Sequence, residues 1–312
     1  MGEYGSKVCY KIIVLFIAMI AGYIAKKSKT LNKDSTKALS GILANITNPC
    51  LIIACLQIPR EETLLKNAAI VFGLSMCVHV FMSFFSHYIF KGAKDYRDRN
   101  VNTYGLTYMN CGFMGYPIVE AMFGQEGLFY GVIYASVFNL IAWSHGVIVM
   151  SSGSNEKVDF KKKLINPSII STVISIILFV TNIRLPGVVL EGVDMVGDMT
   201  FPLSMLIIGS LLGDQKLSKL IKEYKLMLFT VLKLAVVPLM MLGVCLFIKD
   251  LIGLKIALLC ITMCAAPTAT TTAVAAELYG GNSGLAAKLV GVTTLFCLIS
   301  MPLVLILAEK IL

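Results

Sequence analysis

Residues 110–117 read Asn-Cys-Gly-Phe-Met-Gly-Tyr-Pro, NCGFMGYP, inside an otherwise apolar run from 103 to 123. A run of that length is about enough for one helix to cross a bilayer. Two glycines, a proline and an asparagine within eight residues should break that helix. Backbone freed from its helical partners survives at membrane depth only where it is buried in protein or lines a wet cavity. The stretch therefore predicts an interior site, and the fold depends on whether it has a counterpart.

A counterpart exists in CAAPTATTT, residues 264–272. Pro117 and Pro267 are 150 residues apart, and Pro49 (NITNPC) and Pro202 (MTFPLS) are 153 apart. FG-x-x-GL at 123–128 and YG-x-x-x-GL at 279–285 recur at a similar offset, near the half-length of 156. Such self-similarity predicts two repeats. Ten apolar runs qualify as spans: 8–25, 35–57, 67–90, 103–123, 127–150, 167–182, 188–213, 225–248, 254–279 and 284–309. Residues 1–150 form the first five-span repeat, 151–166 a cytoplasmic linker, and 167–312 the second repeat. Because five is odd, the second repeat enters from the opposite face, so the repeats are inverted. The expected fold is an all-α polytopic membrane protein with broken fourth and ninth helices.

Composition agrees: 57% of the 312 residues are hydrophobic and 14% are charged, against about 25% charged in soluble domains. The net charge of +9 lies in short clusters between apolar runs, which argues against nucleic acid as a partner. Eighteen Lys and Arg belong to the odd-to-even connections and seven to the other loops and tails. The positive-inside rule then puts both termini outside the cell membrane. Lys26, Lys27 and Lys29 after the first run mark a retained anchor and not a cleaved signal. The nine cysteines lie almost wholly in apolar runs and read as small buried hydrophobes, with no metal site and no cofactor expected.

Paired breaks in opposed helices bring half-helix ends together near the midplane. Their N-termini offer free N–H groups and partial positive charge to an anion, and their carbonyl ends suit a cation. The candidate binding residues are Asn110, Gly112, Gly115 and Pro117 in the first break, and Pro267, Thr268, Thr271 and Thr272 in the second. Asn48 and Asn139 join them at the same depth. Each threonine has a competing reading, since its hydroxyl can repair a freed carbonyl in its own helix. Lys233 and Glu120 are candidates for a charge role. Lys233, about 12 Å into the eighth span, either reaches the interior or snorkels to the inner surface. Glu120 lies one turn past Pro117. No nucleophile elbow, zinc-protease motif or phosphate loop is present, so the chain is not read as an enzyme.

NCGFMGYPIVEAMFGQEGLFYGVIYASVFNLIAWSHG, followed by AAPTATTTAVAAELYGGNSGLAA, resembles the auxin efflux carrier family over nearly the whole chain. The resemblance implies crossing fourth and ninth helices, a scaffold of spans 1, 2, 6 and 7, a homodimer and elevator-like transport. It places the crossover site at Asn110, Pro117 and Pro267. Many members carry Asn where this chain has Thr271. The expected function is secondary transport of a small organic anion, a mono- or dicarboxylate or auxin-like acid. The alternatives are a sodium-coupled organic-anion symporter and a membrane sensor that binds without transport, with H+ or Na+ as the coupling ion if one is used.

Overall fold

The computed structural model describes residues 3–153, 166–215 and 220–312. Most of the expected linker 151–166 therefore lies outside the described residues. Among those described, every regular element is helical, and the one extended pairing is an isolated antiparallel bridge between Met109 and Thr268. The first half contains α1 (Glu3–Lys27), α2 (Lys33–Ile42), α3 (Asn48–Cys55), α4 (Glu62–Phe90), α5 (Tyr96–Thr107), α6 (Tyr116–Ile141) and α7 (Val147–Ser151). The second contains α8 (Pro167–Val180), α9 (Gly187–Asp198), α10 (Thr200–Gly213), α11 (Tyr224–Val231), α12 (Val237–Ala265), α13 (Thr271–Tyr279) and α14 (Ser283–Ile311).

Among the described residues, seven helical stretches are long and apolar enough to cross a membrane. Two of them, Cys111–Ser151 and Tyr224–Ala265, have 41 and 42 residues. At 1.5 Å per residue each is about 60 Å long, twice the hydrocarbon thickness. Both are interrupted where helical dihedrals fail, at Gly124 (φ +66°) and Gly253 (φ +71°). A Cβ at either glycine would meet nothing within 4 Å. Glycine is required there for the left-handed backbone and not for space.

Local chemistry sets the ends. Asn32 and Ser35 form a reciprocal capping box at α2, while Asp95, Asn166 and Asn282 cap α5, α8 and α14 through backbone N–H groups. The Asp95 cap explains why α5 starts at Tyr96, seven residues before the apolar run from 103. Gly280, at φ +78°, ends α13 in the left-handed conformation.

Three further interruptions share a cause. Wide π turns at Leu43–Thr47, Cys111–Gly115 and Leu232–Val236 each end two residues before a proline: Pro49, Pro117 and Pro238. Proline lacks the N–H that would bond back along the helix, and its ring crowds the carbonyl four residues earlier. Widening the preceding turn relieves that conflict. A fourth π turn, Ala142–Gly146, has no such proline.

The closest helix pair is α1 with α10. A Cβ on Gly209 would fall 1.9 Å from the Met19 carbonyl oxygen, and one on Gly22 would fall 2.2 Å from that of Leu206. Small residues permit this backbone approach where lipid offers no hydrophobic drive between helices. The same group includes α2 against α10 and α3 against both α8 and α9. A second group packs α4 on α5 and α6, and α14 on α11, α12 and α13. Contacts of α1 with α6 and α14 join the groups, and the Glu309 carboxylate accepts the Tyr4 and Gly5 N–H groups at 3.3 and 3.2 Å. An acid at a helix N-terminus is favoured by the dipole. Exposed Ile13, Ile17 and Ile20 on α1, and Phe81 and Phe84 on α4, suit a lipid environment.

Candidate functional site

The two broken helices meet at 108–110 and 266–270. Asn110 donates its backbone N–H to the Pro267 carbonyl at 2.8 Å, and Ala269 donates to that of Tyr108 at 3.1 Å. These two bonds form the Met109–Thr268 bridge, a scrap of sheet inside a helical protein. They satisfy backbone groups that no water would reach. Thr268 completes the joint: its N–H donates to Thr293 Oγ1 at 3.1 Å, and its own hydroxyl donates to the Gly105 carbonyl at 3.3 Å.

Beside this joint lies a cavity of about 240 Å³. One wall is formed by Asn45 and Asn48 with Asn166 and Ser168; the other includes Asn110, Gly112, Asn139, Thr270 and Thr271. Phe113, Tyr116, Phe138 and Trp143 supply its aromatic surface. Among the described residues, five asparagines line the cavity and no charged side chain does. Asn48 donates through Nδ2 to Ser168 Oγ at 3.0 Å, tying α3 to the start of α8. Asn110 is 3% exposed, and its Nδ2 has no hydrogen-bond partner among the described residues. A buried amide donor without a partner costs about 1–3 kcal/mol, so its presence calls for an explanation.

The cavity also faces the beginnings of both helices that resume after the breaks. Gly112 and Phe113 lie in the first turn after one, and Thr270 and Thr271 at the start of the other. The opening amides of a helix have no acceptor within it, and the dipole makes this end partly positive. Three of the four π turns contribute lining residues: Ala44 and Asn45, Gly112 and Phe113, and Trp143. The fourth carries Lys233.

Of the twelve residues singled out from sequence, Asn48, Asn110, Gly112, Asn139 and Thr271 line the cavity. Pro267 and Thr268 form the joint, and Thr272 is buried in the first turn of α13 outside the lining. Gly115 packs against Met263, whose sulfur would lie 2.7 Å from an added Cβ. Pro117 is buried at the start of α6, directly after a π turn. Glu120 is turned away, 3.9 Å from Lys11. Lys233 does not snorkel: it is fully buried, with Nζ donating to the Leu106 carbonyl at 2.8 Å and to that of Tyr108 at 3.2 Å. Its π turn places it beside the carbonyl end of α5, where a cation is favoured. Sequence reasoning passed over Asn166, which read as the linker's end, and Ser168, which fell in the sixth apolar run, although Asn166-Pro167 is a helix-start signal. It also missed Trp143, which sits in the π turn that no proline announces.

A model of the family described as membrane transport protein matches residues 7–305. The chain belongs to this membrane transport protein family. That agrees with the resemblance to auxin efflux carriers borne by the two crossing motifs. An uncharacterized transporter of Methanocaldococcus jannaschii is 25% identical over 217 residues, spanning 66% of this chain and 69% of the relative. Another, from Methanothermobacter thermautotrophicus, is 23% identical over 301 residues, 94% and 95% of the two chains. The membrane transport protein family is a family of transporters and not of enzymes, and the protein is a multi-pass membrane protein.

Proposed function

We propose that this transporter is a secondary carrier for a small organic anion, a carboxylate with a flat apolar body, taken up in the cavity beside the crossed breaks. The carrying observation is the lining itself: five asparagines and two helix starts, with aromatic walls and, among the described residues, no charged side chain. Oriented N–H donors stabilise a carboxylate without a buried counter-ion. A site of this kind favours a monoanion over a dianion, with Kd of about 1 μM to 1 mM.

In this reading the helices form ten crossing segments in two inverted repeats, 1–150 and 167–312, with Gly124 and Gly253 turning the chain between neighbouring segments. The group built on α1, α3, α8, α9 and α10 is the scaffold of a homodimer in the cell membrane, with both termini outside. The crossing helices with α4, α11 and α14 move against it as an elevator. What supports this division is that the cavity lies between the groups and that backbone contact at Gly22 and Gly209 locks α1 to α10. Family membership removes the non-transporting sensor as an alternative.

Tracer flux from proteoliposomes tests the anion reading. An inside-negative potential set by potassium and valinomycin adds about 2.3 kcal/mol per charge per 100 mV to outward anion movement. Efflux of a substrate carboxylate should accelerate with that potential, and its uncharged amide analogue should move poorly. Equal flux with and without the potential would replace anion uniport by an electroneutral proton- or sodium-coupled cycle.

A further inference from the structure

Lys233 is the one fully buried Lys or Arg among the described residues. Within the same residues, no carboxylate lies at ion-pair distance from it. Its partners are backbone oxygens at the C-terminal end of α5, those of Leu106 and Tyr108. The Tyr108 carbonyl also accepts from Ala269, and the nearby Gly105 carbonyl accepts from Thr268 Oγ1. Backbone carbonyl oxygens paired at the negative end of a broken helix, as those of Leu106 and Tyr108 are, belong to the ligand type that a small hard cation takes. Here an amine on a side chain already donates to them. The π turn at Leu232–Val236, set by Pro238, swings that side chain inward from α11.

We infer that Lys233 is a tethered cation: its amine fills the oxygen-lined position that a coupling cation would otherwise take, so the protein needs no sodium at the crossover. The consequence for coupling rests on the carrier reading, but the occupancy of the position does not. A purely structural lysine would also stabilise the joint. It would not, however, be replaceable by a free cation.

Thermal melting of the purified protein separates the two. Wild type should melt at the same temperature in sodium, lithium, methylammonium and choline chlorides of equal ionic strength. Lys233→Ala should melt lower in choline and recover by about 3 °C or more in sodium or methylammonium, as binding to the folded state alone requires. Lys233→Met, whose side chain refills the space without a donor, should melt lower in every salt and recover in none. Overturning results are a wild type raised by sodium over choline, or Lys233→Ala melting alike in all four salts. Lys233→Ala unrecoverable as folded protein in any of them would also overturn it. In proteoliposomes, wild-type flux should ignore sodium and Lys233→Ala flux should rise with it. A wild type with no flux of any organic acid would sink the carrier reading and leave the melting series to decide the cation position.

Discussion

The two breaks cross at one point and bond to each other, yet they are held by different means. The first, at 108–110, has the Tyr108 carbonyl taken by Lys233 and Ala269 and leaves Asn110 Nδ2 buried and, among the described residues, unbonded beside the cavity. The second, at 266–270, is secured by the Asn110 N–H donating to the Pro267 carbonyl, by the Thr268 N–H donating to Thr293 Oγ1 and by the Thr268 hydroxyl donating to the Gly105 carbonyl. A repeat supplies two similar interruptions, but the side chains around them divide the work. The first break keeps an unspent amide donor beside the cavity; the second spends Pro267 and Thr268 on the joint, although the Thr272 hydroxyl just beyond it is also buried without a partner among the described residues.

The largest expected effect lies on the first break. Asn110→Ala removes a donor with no partner among the described residues, so the melting temperature should stay close to that of wild type. Binding should weaken by about 10- to 150-fold, the loss of one hydrogen bond to a charged ligand. Thermal-shift titration with an organic acid, followed by tracer flux, reads both quantities. Unchanged affinity in a protein that melts much lower would reverse the roles given to the two breaks.

On the second break the prediction runs the other way. Thr293→Val keeps the shape of a fully buried side chain but strands the Thr268 N–H. Leaving that donor unpaired should cost about 1–3 kcal/mol of stability, seen as a lower melting temperature. Affinity should stay within a few-fold of wild type, because Thr293 does not line the cavity. A variant as stable as wild type but unable to bind would show that this break, too, belongs to the ligand.

How much of this was legible follows from where each signal resides. Proline and glycine act on their own backbone, so NCGFMGYP and CAAPTATTT announced the breaks from sequence. The turns at Pro49, Pro117 and Pro238 follow the same local rule, although the wide π form is not written in composition. Periodicity and hydropathy located the apolar segments, but α5 began earlier because Asp95 caps it through one hydrogen bond. Lys233 was undecidable from depth alone: snorkelling and burial need the same sequence, and only the nearby carbonyls choose between them. The far wall of the cavity, Asn166 and Ser168, comes from a segment some 55 residues beyond Asn110. No local pattern reports that proximity.

Glu120 gives the smallest and last effect, and it tests how far the first break's influence extends. It lies one turn beyond Pro117, close enough in sequence to affect the ligand, yet its carboxylate faces Lys11 on α1 at 3.9 Å. The side chains are 34% and 29% exposed, so water and salt screen much of the attraction. Pairs of this kind contribute about 0–1 kcal/mol, and the long distance favours the lower part of that range. If α6 moves against α1 during transport, the contact must also separate in each cycle, which a strong bond would oppose. Glu120→Gln should therefore leave affinity unchanged and shift flux by less than about threefold, with melting altered by less than the Thr293→Val change. Loss of binding in Glu120→Gln would extend the site along α6, and the weight now placed on Asn110 would have to be shared.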